Sequence, residues 1–157
     1  RRYTTGSRSR WRRSLKDKAL NLLGLMRRAN ALSVGETDTG AAARSNTAVL
    51  VLLAGDASKN AESRARGFVY GRDIPLITLP FTKDEISERV GKNGCSMAAI
   101  RDYGFADAFL RLMTKLSPGE YDEPSREIAQ KLERETSKRP KTVSTNKKRI
   151  GLRRNNT

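Results

Sequence analysis

Apolar residues recur along the chain with two periods, and the alternation between them lays out the elements. Leu15, Ala19, Leu22, Leu23 and Met26 fall at helical spacing, and Ser14 followed three residues later by Asp17 resembles a capping arrangement, so a first helix is predicted over roughly 14–29. Ala31-Leu32-Ser33-Val34 reads as a short strand ended by Gly35, and Glu36 to Arg44 as a short second helix. Thr47 to Ala54 is almost wholly apolar, the pattern of a central strand covered on both faces. Asp56 or Ser58 can cap a third helix with an apolar face of Ala61, Ala65, Phe68 and Val69, stopped by Gly71. Pro75 to Leu79 is a strand ahead of Pro80. Thr82 with Glu85 makes a capping box, and Phe81 with Ile86 a hydrophobic staple, which predicts a fourth helix from 82 to about 90, closed by Gly91. Cys95 to Ile100 is the last strand. Phe105, Phe109, Leu112, Met113 and Leu116 mark a fifth helix ending before Pro118.

The order αβαβαβαβα predicts an α/β fold, a three-layer α/β/α sandwich around a four-stranded mixed sheet. Residues 14–116 are the expected domain, and no internal repeat interrupts it. Residues 117–137 read as a linker, Tyr121 to Pro124, followed by a charged stretch with only Ile128, Ala129 and Leu132 as an apolar trace, which can form a helix. From Arg139 onward the composition predicts disorder in isolation.

Charge changes this picture. The chain carries 32 Lys+Arg against 17 Asp+Glu, a formal net charge of +15. Residues 1–13 hold six Arg and no acid, and residues 138–157 hold eight Lys+Arg and no acid, leaving 18 basic against 17 acidic residues between them. A nearly neutral domain between two basic arms suits a polyanionic partner. The arm cations are Arg1, Arg2, Arg8, Arg10, Arg12 and Arg13 at one end, with Lys138, Arg139, Lys141, Lys147, Lys148, Arg149, Arg153 and Arg154 at the other. Trp11 and Tyr3 stand among the first group, where they can stack on unpaired bases while guanidinium groups hold phosphates. The plainer alternative is that Trp11 packs against the first helix.

Composition also excludes chemistry. Without His, no Ser-His-Asp or Cys-His site is possible, and with one cysteine, Cys95, neither an intrachain disulfide nor a zinc cluster can form, so no metal site is expected. No apolar run approaches the ~20 residues that span a bilayer. Against a secretory signal, Asp17 and Asn21 interrupt the Leu-rich stretch after Arg12-Arg13, and Arg27-Arg28 precede the cleavage-like Ala29-Asn30-Ala31. The acid-free, Arg-, Ser- and Thr-rich residues 1–16 also fit an organelle transit peptide.

Residues 23–36 (LGLMRRANALSVGE), 49–60 (VLVLLAGDASKN) and 91–106 (GKNGCSMAAIRDYGFA) lie in an αβ order that resembles the ribosomal kink-turn RNA-binding superfamily, particularly its small bacterial ribosome-associated members. The resemblance spans roughly 14–116 and neither arm. It implies a face for sharply bent RNA built from the start of the second helix, Gly35, Glu36, Thr37, Asp38, Gly40, Ala41 and Arg44; the turn after the central strand, Gly55 and Asp56; and the loop into the last strand, Asn93, Gly94, Cys95 and Ser96. Members typically carry Gly-x-Asn-Glu-x-x-Lys at the helix start. Here Gly35, Thr37, Asp38 and Ala41 stand there, without the Asn and Lys. Thr37 can still meet a base edge or phosphate, and Asp38 can accept from a guanine or cytosine amino group.

Several of these residues have a purely structural reading as well. Gly40 with Ala41, Ala42 and Ala43 can serve close helix packing, and Cys95 reads as a small buried hydrophobe. Asp84, Glu85 and Glu88 read as a solvated first turn rather than an acid/base pair, and Met26, Met97 and Met113 as core. The expected function is a non-enzymatic RNA-binding protein, ribosomal or ribosome-associated. It would dock on structured ribosomal RNA, large-subunit by expectation, beside neighbouring ribosomal proteins, with arms threading RNA and no cofactor, membrane or small-molecule substrate. Its place is the cytoplasmic or an organelle ribosome. The alternatives are a substrate-recognition fragment of an RNA-modifying enzyme, or a non-specific nucleic-acid binder acting through its tails.

Overall fold

The computed structural model describes residues 5–138, with side chains of residues 10–137. Four short strands form its centre, β1 (Leu32–Val34), β2 (Leu50–Leu53), β3 (Leu76–Thr78) and β4 (Met97–Ile100). They make one mixed sheet in the order β1-β4-β2-β3, with β2 and β3 parallel and both other pairings antiparallel. The strands are shorter than the apolar runs predict because the flanking residues bond outside the regular ladder: Val49 N–H donates to Ile100 (2.8 Å), Ala54 N–H to Ser96 (2.8 Å) and Leu79 N–H to Leu53 (2.8 Å).

Six helices cover the sheet: α1 (Thr5–Arg28), α2 (Glu36–Arg44), α3 (Lys59–Val69), α4 (Lys83–Val90), α5 (Tyr103–Leu116) and α6 (Asp122–Lys138). Strand alternation decides which layer each residue serves. Leu50, Leu52, Ala98 and Ile100 point into the larger core with Leu23, Met26, Ile86, Phe109 and Met113 of α1, α4 and α5. Val51 and Ala99 meet Ala42 of α2, while Leu53 and Met97 meet Ala61 and Ala65 of α3. The expected three-layer sandwich is therefore present, with large side chains on one face and mostly small ones on the other.

Local signals fix the helix ends. Ser58 Oγ accepts from Ala61 N–H, and Thr82 and Glu85 form the full capping box, with Gly91 left-handed at the C-terminus (φ 76°). The staple residues Phe81 and Ile86 are both buried. Glu85 also pairs with Lys16. Burial works against its charge, but the bonds from Lys16 and Thr82 prevail and hold its carboxyl below the ordinary value.

Two predicted boundaries differ. The first helix begins at Thr5 rather than near 14, so Ser14 and Asp17 are interior positions and do not cap it. Arginine is a good helix former, and Arg12 Nη1 donates to the Leu116 carbonyl at 3.2 Å, which ties the extension to the end of α5. At the other end, the expected linker after Tyr121 already belongs to α6. Pro124 sits in its first turn, where a missing N–H costs nothing. Tyr121 and Ile128 join the larger core. Tyr121 Oη donates to Thr78 O on the edge strand β3 at 2.7 Å, and burial pushes its pKa up to about 12. No helix among the described residues is long and apolar enough to cross a membrane.

Candidate nucleic-acid interface

The pairings Val34↔Ala98, Leu53↔Met97 and Leu53↔Thr78 put the exits of β1, β2 and β3 and the entry of β4 at one end of the sheet. The β1–α2, β2–α3 and α4–β4 segments, far apart in sequence, therefore converge. Gly35 N–H donates to Met97 O (3.0 Å), Ala54 N–H to Ser96 O (2.8 Å) and Gly55 N–H to Phe81 O (2.8 Å).

Gly35 is the N-cap of α2 at φ 92°, ψ 165°, a conformation that glycine adopts readily and L side chains rarely do, and no side chain caps this helix. The first intrahelical bond is Thr39 N–H to Gly35 O at 3.0 Å, so the N–H groups of Glu36, Thr37 and Asp38 have no intrahelical acceptor. The helices α3 and α4 at the same end are capped by Ser58 and Thr82. Thr37, Asp38 and Ala41 are exposed on α2. Glu36 is taken by Arg64 at 2.5 Å.

Sequence reasoning missed Lys92. A Cβ on Gly35 would meet its Cε and Nζ at 2.9 Å, so the ammonium lies against the start of α2. It forms no ion pair with a carboxylate among the described residues. One lysine after a helix-ending glycine looks like any surface lysine; its position depends on how the loop closes.

Other expected site residues serve packing. Gly40 is buried, and a Cβ there would strike the Phe68 ring at 2.8 Å, so this glycine lets α2 approach α3. A Cβ on Gly55 would meet the Leu79 carbonyl at 2.6 Å, which makes Gly55 the close-approach point between two turns. Asp56 Oδ1 accepts from Lys83 N–H at 2.8 Å and supports the start of α4. Cys95 is buried, its N–H donating to Ser87 Oγ (2.9 Å) and its thiol to Met97 O (3.3 Å). Burial pushes that thiol up, offset in part by backbone bonds to Gly35 and Met97 and by the charges of Lys92 and Arg27. Asn93 and Gly94 are exposed and Ser96 is half-buried. Asn93 and Gly94 border an open cleft of about 560 Å³ with Asp84, Glu85 and Glu88. Arg44 is exposed at the far end of α2, about 12 Å from its start at 1.5 Å per residue.

Of the arm residues, Arg10, Trp11, Arg12 and Arg13 lie on α1 and are exposed, Trp11 by 56 %. Arg12, Arg13 and Lys16 line a shallow cleft of about 310 Å³ with Pro80, Phe81 and Leu116. Arg1, Arg2 and Tyr3, the side chains of Arg8 and Lys138, and Arg139, Lys141, Lys147, Lys148, Arg149, Arg153 and Arg154 lie outside the described residues.

No family model matches the chain. The RNA-binding protein YlxQ of Enterococcus faecium is 36 % identical over 91 residues, which cover 58 % of this chain and 86 % of that protein. A protein from Bacillus halodurans C, described as of unknown function, superposes with a TM-score of 0.56 and 26 % identity over 61 % of this chain and 96 % of its own. The Giardia lamblia 15.5kD RNA binding protein shares the fold, with a TM-score of 0.51 and 17 % identity over 66 % of this chain and 88 % of its own.

Proposed function

The chain belongs to the ribosomal kink-turn RNA-binding superfamily, and from that premise we propose that it binds structured, sharply bent RNA at the sheet end where Gly35, the Gly55-Asp56 turn and the loop 93–96 meet. The observation that carries this reading is the convergence of those three segments around a helix that opens on a glycine with no side-chain cap. Free N–H groups and the positive end of α2 suit phosphate, and the space that a Cβ on Gly35 would fill is taken by the Lys92 side chain. Exposed Thr37 and Asp38 supply the polar contacts to base edges. Lys92 supplies a cation to this face, which has no lysine at position 41.

The basic residues of the two ends add sequence-independent affinity by neutralising phosphates, so that arm contacts hold the RNA while the domain face selects it. The protein acts by recognition rather than catalysis. Its target is ribosomal RNA, of the large subunit, at a site shared with neighbouring ribosomal proteins. Crosslinking in cells with mapping of the bound nucleotides tests this. A single rRNA junction is expected, and crosslinks scattered over unrelated RNAs would overturn it.

A further inference from the structure

The part of α1 that overhangs the domain carries features that folding does not explain. Its buried stripe of Met26, Leu23, Ala19 and Leu15 continues at the same spacing to Arg12, which uses one guanidinium nitrogen on the Leu116 carbonyl. Beyond that point about 10 Å of helix remains, taking Thr5 to Arg12 at 1.5 Å per residue. Some exposed arginines elsewhere are engaged, Arg64 with Glu36, Arg66 with Glu62 and Arg111 with Asp107, while Arg27, Arg28, Arg44, Arg126 and Arg134 also stand without a carboxylate partner among the described residues; what sets this turn apart is the exposed indole among its cations. Arg10, Arg12 and Arg13 have no carboxylate partner among the described residues, although they crowd into one turn with the 56 %-exposed Trp11. Arg10 and Arg13, three residues apart, share a face and repel, and an exposed indole gains nothing from folding. A partner with phosphates and flat aromatic faces relieves both.

The location names that partner. Arg12, Arg13 and Lys16 share their cleft with Pro80 and Phe81, and the Phe81 carbonyl receives the N–H of Gly55. The basic end of α1 therefore adjoins the sheet end assigned to RNA.

We propose that the first turns of α1 are a second RNA contact, which takes unpaired nucleotides flanking the bent element, with Trp11 stacking on a base and Arg10, Arg12 and Arg13 holding phosphates. This rests on the RNA-binding reading above and adds a single-stranded subsite to it. A rigid helix replaces a flexible arm here, so the stacking residue is held at a fixed distance from the domain.

Trp11 is the sole tryptophan of the chain and reports on its own contact. The full chain is titrated with a bent, bulged RNA ending bluntly and with the same RNA carrying a short single-stranded extension, and affinity and Trp11 emission are read together. The extension is expected to tighten binding by about 5- to 100-fold and to quench the emission. Trp11→Ala should remove that gain while leaving the blunt RNA unaffected, and Trp11→Phe should keep most of it. Equal affinity for both RNAs with unchanged emission overturns the subsite and leaves the bent-RNA reading standing, whereas binding to neither RNA sinks both. Quenching by poly-glutamate but not by the extended RNA would also overturn it, by assigning the patch to an acidic protein.

Discussion

The two ends of the sheet differ in what Lys131 and Lys92, one lysine at each, find as partners. At the end where β2 and β3 begin, Lys131 and Arg101 are engaged internally, although Arg44 is exposed there and Arg101 Nε has no hydrogen-bond partner. Lys131 of α6 is only 8 % exposed, and its Nζ donates to Asp73 O at 2.7 Å and pairs with Asp73 and Glu127 carboxylates, each at 3.2 Å. Arg101 Nη2 closes on Asn30 O (2.7 Å) and Oδ1 (3.2 Å). At the other end, α2 opens without a side-chain cap and Lys92 lies against Gly35 without a carboxylate. A polar group satisfied inside the protein stabilises the fold, and one left unsatisfied at the surface is available to a ligand. The first end holds the middle of α6 to the domain through Lys131, and the second leaves the start of α2 without a side-chain cap.

The sharpest way to break this contrast is to damage the closed end and measure both properties. Lys131→Ala should lower unfolding stability by about 2–3 kcal/mol, the scale of hydrogen bonds to charged groups, while RNA affinity stays constant as long as the protein is folded. A folded variant that loses RNA binding would show that the ends are not separate. At the other end of the sheet, where β3 exits, Tyr121→Phe should cost about 0.5–1.5 kcal/mol in denaturant melts, because it leaves Thr78 O unpaired. The raised Tyr121 pKa of about 12 favours the neutral phenol in the fold, so its contribution is complete below the ordinary value of 10.0 and disappears as pH climbs from there towards 12. Absorbance titration should find one tyrosine ionising late, and Tyr121→Phe should remove it.

Lys92→Gln reverses the expectation for Lys131. Stability should stay within about 0.5 kcal/mol, while the slope of log affinity against log salt becomes shallower by about 0.7–0.9, one phosphate contact. The smallest effect belongs to Asp73. The bond and charge of Lys131 hold its carboxyl below the ordinary 3.8, so its contribution is present above that pH and is lost as pH falls through the lowered value. The side chain is 82 % exposed, which limits this to about 0.5 kcal/mol after solvent screening. Asp73→Asn should lose that amount at neutral pH and show a flatter acid limb in thermal melts.

The elements easiest to read in the sequence are those whose ends are set locally. The second helix runs from Glu36 to Arg44 as the residues alone predict, and the Thr82–Glu85 box with the Phe81–Ile86 staple marks the fourth. What stayed hidden depends on remote contacts. Nothing near Arg12 announces that Leu116 will receive it, so the helix was expected to start near 14. Lys131 is bonded to Asp73, 58 residues away, and a charged stretch with little more than Ile128 and Leu132 gives no local sign of docking. The site shows the same division. The three segments that converge are those the family resemblance implies, yet the division of labour among them requires a neighbour's position: Phe68 assigns Gly40 to packing, Lys83 engages Asp56, and Lys92 reaches Gly35 only through the folded loop.

The central claim is that the open end of the sheet selects bent RNA. It is tested most directly by comparing affinity for a bent, bulged RNA with that for a plain duplex of equal length, using the wild type and Thr37→Ala/Asp38→Ala, with both proteins shown to be folded. The wild type should prefer the bent RNA, and the double variant should lose about 1–3 kcal/mol of that preference for each base contact removed, with its melting temperature unchanged. A wild type that binds both RNAs equally, or a double variant that keeps the full preference, would contradict it.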